Sequence, residues 1–220
     1  MRFSDRLLRR TEPARAAFRA IPILHDGVAG AIDRDRYLAF LAQAYHHVRH
    51  TVPLLMQCGA RLPERLGGLR TALAHYIAEE IGHEAWILDD IRAAGGDPER
   101  VAETSPLPAT EIMVAYAYDT VTRRHPLGLF GMVLVLEGTS VALATEAAKN
   151  IRQSLGLPET AFTYLTSHGA LDRKHMAFFA RTMDGVTEAG DQDVVIAAAD
   201  MFYRLYGDIF RALEVTPASA

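Results

Sequence analysis

Met132-Val-Leu-Val-Leu-Glu137-Gly-Thr-Ser-Val141 sets one carboxylate inside a run of apolar residues. The segment around it stays apolar from Gly128 to about Leu155 and then meets Gly156 and Pro158, a glycine-then-proline stop signal for a helix. A charged side chain is almost never fully buried without a partner. Glu137 therefore calls for a counter-charge, which is either an arginine such as Arg173 or a metal ion.

Outward from this segment the periodicity is helical nearly everywhere, and no strand pattern stands against it. Tyr37, Phe40, Leu41, Ala44, Tyr45 and Val48 mark one face of a helix that Asp33 can cap and Pro53 should end or kink. A second long helix is expected from near Pro63 through His75, Glu80 and Trp86 to about Ala94, where Gly95-Gly96-Asp97-Pro98 stops it. Further helices are expected at Ala109 to Arg123, Glu159 to Met183 and Asp191 to Leu213, and one more in the N-terminal stretch up to Ala20. Short linkers and the absence of repeats predict one all-α helical domain over residues 1–220, with a frayed tail from Thr216 to Ala220.

Composition narrows the function. Half of the 220 residues are apolar, 23% are charged, and the formal net charge is -4. Basic residues are scattered among acids, which argues against nucleic acid as a partner. A single cysteine, Cys58, permits no intramolecular disulfide. The start, Met1-Arg2-Phe3-Ser4-Asp5-Arg6, lacks a secretory pattern. The most apolar window, Leu127 to Leu136, is too short to span a bilayer. The expectation is a cytoplasmic protein with no membrane association.

Two further stretches carry ligand-type residues. In His168-Gly-Ala-Leu-Asp172-Arg-Lys-His175, Asp172 and His175 stand about 40° and about 20° from His168 around a helix. The three share one narrow face, and Leu165, Leu171, Phe178 and Phe179 predict that this helix is largely buried. Lys174, between two of them, is expected to face outward. The competing reading of the triplet is a set of hydrogen-bonded core polar residues. In Ala78-Glu79-Glu80-Ile-Gly-His83, Glu80 and His83 form a carboxylate-x2-His pair of the kind helical diiron sites use, with Glu79 in reserve. Together these residues give three imidazoles and three carboxylates, a donor set that suits iron or manganese and not structural zinc.

The Glu-x2-His helix, the lone Glu137 in an apolar Leu-Glu-Gly segment and the later His-x3-Asp-x2-His, in that order, resemble the haem-oxygenase-like diiron oxidases from about Ala17 to Met183. TenA-type thiaminases and pyrroloquinoline-quinone-synthase-like proteins share that fold. The resemblance implies a bundle of about seven helices, with Glu80, His83, Glu137, His168, Asp172 and His175 as metal ligands. It implies two irons per chain, with manganese as the substitute, and an oxygen-dependent oxidation of a small organic substrate in a homodimer. Some members carry the first carboxylate two turns before the histidine, where this chain has Tyr76.

Other readings stay open at this point. A thiaminase-like enzyme would need Cys58 as nucleophile, and a haem oxygenase would need an axial histidine such as His25, which looks like a loop residue. A ferritin-like bundle would want a second lone carboxylate, and a metal-free binding protein would keep the fold alone. His46, His47 and His50 with Tyr45 are cavity candidates, although adjacent histidines are more often partly exposed. Trp86 and Phe202, Tyr203, Tyr206 and Phe210 read as core or dimer contacts.

Overall fold

The computed structural model describes the backbone of residues 1–215 and the side chains of these residues other than 168–174 and 215. Among the described residues there are helices and turns and no strand. In chain order the helices are α1 (Phe3–Arg10), α2 (Glu12–Arg19), α3 (Pro22–Ala29), α4 (Arg34–Val48), α5 (Thr51–Arg61), α6 (Leu69–Glu80), α7 (His83–Ala93), α8 (Pro98–Glu103), α9 (Pro108–Asp119), α10 (Leu129–Leu155), α11 (Thr163–Asp184) and α12 (Ala189–Val215). All seven segments expected from the periodicity are helical. The larger number comes from breaks inside two of them and from three further helices, α3, α5 and α8.

The breaks have local causes. Asp33 caps α4 by accepting from the Arg36 amide at 2.7 Å, as its sequence position suggests. Pro53 does not interrupt this helix. The chain turns at Arg49 and His50, and Pro53 falls in the first turn of α5, where a missing N–H costs nothing. The expected single helix from Pro63 to Ala94 is two helices. Ile81 is extended and Gly82 takes φ +92°, a left-handed conformation that glycine enters without a Cβ penalty. His25, expected in a loop, lies inside α3 because Pro22 starts a helix there.

α10 runs through the middle of the bundle and packs along α11, α12 and α3. At Gly131 it lies close against α12, where a Cβ would stand 2.6 Å from the Ala199 amide nitrogen. The segment Pro126–Leu155 is long and apolar enough to cross a membrane by composition, more so than the Leu127 to Leu136 stretch alone. However, 56% of its most apolar window is buried, as befits a core helix. The start of α11 is fixed from α7. The fully buried Asp90 carboxylate accepts from the amides of Thr163 and Tyr164 at 2.9 and 2.8 Å. It thereby satisfies two of the N–H groups that a helix start leaves open. Burial pushes the Asp90 carboxyl above its ordinary range, and the two amides pull it back.

Candidate metal centre

Three helices bring one ligand-type residue each to a single buried point. Glu80 ends α6, Glu137 sits in the middle of α10 and His175 projects from α11, and one ligand atom from each lies within 4.8 Å of the others. Their exposures are 8%, 9% and 2%. Burying two carboxylates so close together demands positive charge nearby. The oxygen and nitrogen donors are of the type that iron and manganese accept. The residues therefore fit a metal ion of that class.

The adjoining groups tighten the cluster. His83 opens α7, and its Nδ1 stands 3.1 Å from Glu80 Oε2. Glu80 and His83 thus meet across the bend at Gly82, not along one continuous helical face as their spacing suggested. The His83 ring stacks on Trp86 at 4.0 Å between centroids, so Trp86 orients a site residue as well as filling space. On the other flank His175 Nε2 lies 2.8 Å from Glu79 Oε2, and His175 Nδ1 lies 3.7 Å from Glu137 Oε1. Glu79 also reaches His75 Nε2 at 3.3 Å. Both carboxylates weighed for the first ligand position are therefore at the site: Glu80 belongs to the converging trio, while Glu79 holds the far side of His175. His168 and Asp172 stand earlier on α11, and their side chains, with those of Arg173 and Lys174, lie outside the described residues.

A cavity of about 170 Å³ opens from this cluster, lined there by Glu80, Glu137 and Tyr76. Tyr76 lies with its ring 6.0 Å from that of His175. Of the α4 histidines, only His47 lines the cavity, edge-on to Tyr206 at 5.8 Å. His46 turns to Thr104 Oγ1 at 3.4 Å and His50 to the Tyr118 hydroxyl at 3.1 Å. Contrary to the expected partial exposure, His46 and His47 are both buried. Burial and then the Arg49 charge hold the imidazoles of His46 and His50 below their ordinary range. Tyr206 and Phe210 line the cavity, while Phe202 and Tyr203 fill the core. The wall residues Arg36 and Tyr164 carried no signal in the sequence that marked them as lining a cavity, whereas Tyr76 stands where some members of the resembled family carry their first carboxylate.

Two rival sites lose their support. Cys58 is fully buried, its Sγ donates to the Pro126 carbonyl at 3.2 Å, and burial pushes its thiol up to about 12. That is the reverse of an activated nucleophile. His25 is exposed on α3 and is not part of the cavity wall.

Residues 38–207 match the family described as iron-containing redox enzyme. No curated protein matches the chain significantly. Among solved structures, a Shewanella denitrificans domain of unknown function with a haem-oxygenase-like fold is 23% identical, with TM-score 0.84 over 97% of this chain and 92% of that one. A TenA homologue from Pseudomonas syringae pathovar tomato is 12% identical, with TM-score 0.79 over 97% and 93%. The haem oxygenase-1 of the cyanobacterium Synechocystis, in complex with haem, is 11% identical, with TM-score 0.76 over 97% and 93%. At these identities the likenesses establish the haem-oxygenase-like fold and nothing finer.

Proposed function

Since the chain belongs to the iron-containing redox enzyme family, we propose that it is a non-haem, oxygen-dependent oxidase. Its metal would be held by Glu80, Glu137 and His175, with His83, His168 and Asp172 completing a site for about two irons. One observation carries this reading: three buried ligand atoms from three different helices converge beside a largely apolar cavity. Bound iron would supply the change of oxidation state and the open positions at which oxygen and substrate meet. Manganese suits the same donors.

The chain's own residues account for the rest. Glu79 Oε2 lies 2.8 Å from His175 Nε2, and its negative charge on that side of the ring leaves Nδ1 as the nitrogen facing Glu137. Glu80 receives His83 Nδ1, and the stack on Trp86 fixes the plane of that ring. Glu80, Glu137 and His175 are themselves buried, so charge among them is less screened than at the surface.

The test is anaerobic reconstitution with ferrous iron, followed by stopped-flow absorption on mixing with oxygen. About two irons per chain, with oxygen consumption and a transient visible band, is the expected result. Absence of iron uptake together with absence of oxygen consumption overturns the oxidase reading and leaves the fold standing.

A further inference from the structure

The end of α6 carries two neighbouring rows of side chains, each row spaced four residues apart. Tyr76 and Glu80 form one row; both are buried and line the cavity. His75 and Glu79 form the other, about 100° around the helix, and neither belongs to the cavity wall. Glu79 Oε2 lies 3.3 Å from His75 Nε2 and 2.8 Å from His175 Nε2. The His75 side chain is 50% exposed, that of Glu79 34% and that of His175 3%. One carboxylate oxygen therefore stands between an imidazole at the surface and an imidazole of the buried cluster. The outer ring is held in place from α11: it packs edge-on to Phe178 at 4.8 Å between centroids, three residues beyond His175.

The two faces of the cluster suit different traffic. The cavity wall is largely aliphatic, with Met132, Leu136 and Leu143 on the side of α10. A hydrated dication gives up its water only where other donors replace it, and an aliphatic wall offers none. On the face between α6 and α11, His75, Glu79 and His175 present nitrogen, oxygen and nitrogen in succession. These are donors that divalent iron and manganese accept. An ion on this face can exchange one donor for the next and is never stripped of all of them. The charge of Glu79, with Glu80 and Glu137 behind it, draws a cation inward.

We propose that His75 and Glu79 form a surface entry site for the divalent metal ion, which passes to the buried cluster by way of the Glu79 carboxylate. The cavity is then left to the organic substrate, and the metal has its own way in. The inference rests on the metal-centre reading and adds the route by which that centre is filled. His75 takes part in filling the centre and not in the filled centre.

The experiment is stopped-flow mixing of the metal-free, full-length protein with cobalt(II), followed in the visible ligand-field bands of the bound ion. Metal content after desalting and release to excess chelator are measured on the same samples. His75→Phe keeps a ring against Phe178 and removes the donor nitrogen. It should slow cobalt uptake about tenfold and leave final content and affinity unchanged. Release should then slow by the same factor, because a group absent from the final centre changes both directions equally. His75→Glu supplies a donor again and should restore most of the rate, which a purely structural role of the ring would not allow. Uptake by His75→Phe at the wild-type rate overturns the entry site and leaves the metal centre standing. A fall in its final cobalt content would place His75 in the centre itself and overturn the route, as would slow uptake by His75→Glu. Absence of cobalt binding by the wild-type chain would overturn the metal-centre reading and the route together.

Discussion

α10 and the α6–α7 corner deliver a carboxylate each to the same buried point by opposite means. Glu137 stands in an unbroken helix, with the buried Leu134 and Val135 just before it, Gly131 pressed against α12 and a half-buried turn after it. Glu80 stands on the last residue of α6, beside a left-handed glycine in open space, with Glu79 next to it and His83 just beyond. One carboxylate is fixed by packing, and the other by the path of the backbone. The packed region tolerates no change of position. The corner offers two adjacent acids, and both of them contact site histidines.

This contrast predicts unequal losses of metal. Glu137→Ala should lower ferrous affinity by roughly 100-fold or more, because nothing else on α10 can reach the site. Glu80→Ala should lower it less, with Glu79 one residue away, and Glu79→Ala should lower it about tenfold by releasing His175 Nε2. Removing Glu137 should not lower the thermal midpoint of the metal-free protein, since the burial cost of that carboxylate disappears with it. Iron analysis after desalting, with calorimetric melting of the same samples, measures both. A Glu79→Ala loss larger than that of Glu137→Ala would transfer the ligand role to Glu79 and end the comparison as drawn.

The corner also governs α11, through Asp90 on α7. Asp90→Ala leaves the Thr163 and Tyr164 amides without their buried acceptor and should destabilise the protein by about 2–3 kcal/mol. Asp90→Asn keeps one oxygen and should cost about half as much. Chemical denaturation checks the ranking, and iron affinity should fall alongside stability because α11 carries His175. A stable Asp90→Ala variant with normal iron content would show that α11 is positioned by its packing on α10 alone.

The two regions were also unequally legible. α10 and its buried Glu137 could be read because an acid inside an apolar run has few explanations, and Gly156 marks the end. That Glu80, Glu137 and His175 share one place was expected from their residue types and from the family resemblance, since spacing within one helix says nothing of how separate helices meet. The break at Ile81 and Gly82 could not be read, because one glycine inside a helical pattern is ordinarily tolerated and the periodicity resumes on both sides. Arg36 and Tyr164 escaped notice for a different reason. A residue facing a cavity has the same spacing as one facing core, so lining a void leaves no mark in a single sequence.

One substitution made in both regions separates packing from backbone strain. Gly131→Ala pushes a methyl group to within 2.6 Å of the Ala199 nitrogen, and overpacking of this kind should cost about 1–3 kcal/mol. Gly82→Ala meets no atom within 4 Å, so its cost is conformational, about 1–2 kcal/mol for an L-residue at φ +92°. Gly131→Ala should leave ferrous affinity nearly unchanged in whatever fraction folds, whereas Gly82→Ala should weaken it by moving His83 relative to Glu80. Equal effects on iron would mean that the bend does not set the site geometry.

The smallest effect concerns the approach to the corner. Arg65, in the turn before α6, makes a two-pronged ion pair with Asp191 on α12, one contact being Nη2 to Oδ1 at 2.9 Å. The hydrogen bond and then the charge of Arg65, with His125 Nε2 3.7 Å away, hold the Asp191 carboxyl below its ordinary range. A carboxyl whose folded pKa is depressed stabilises the fold at every pH above its unfolded value of about 3.9, and loses that contribution as pH falls through the lower folded value. Asp191→Asn should therefore lower the melting midpoint by on the order of 2 °C at neutral pH, by a constant amount down to about pH 5. Below the ordinary carboxylate range the two melting curves should converge. A difference that persists unchanged into strong acid would assign the role of Asp191 to packing, and would leave the corner anchored by its backbone path alone.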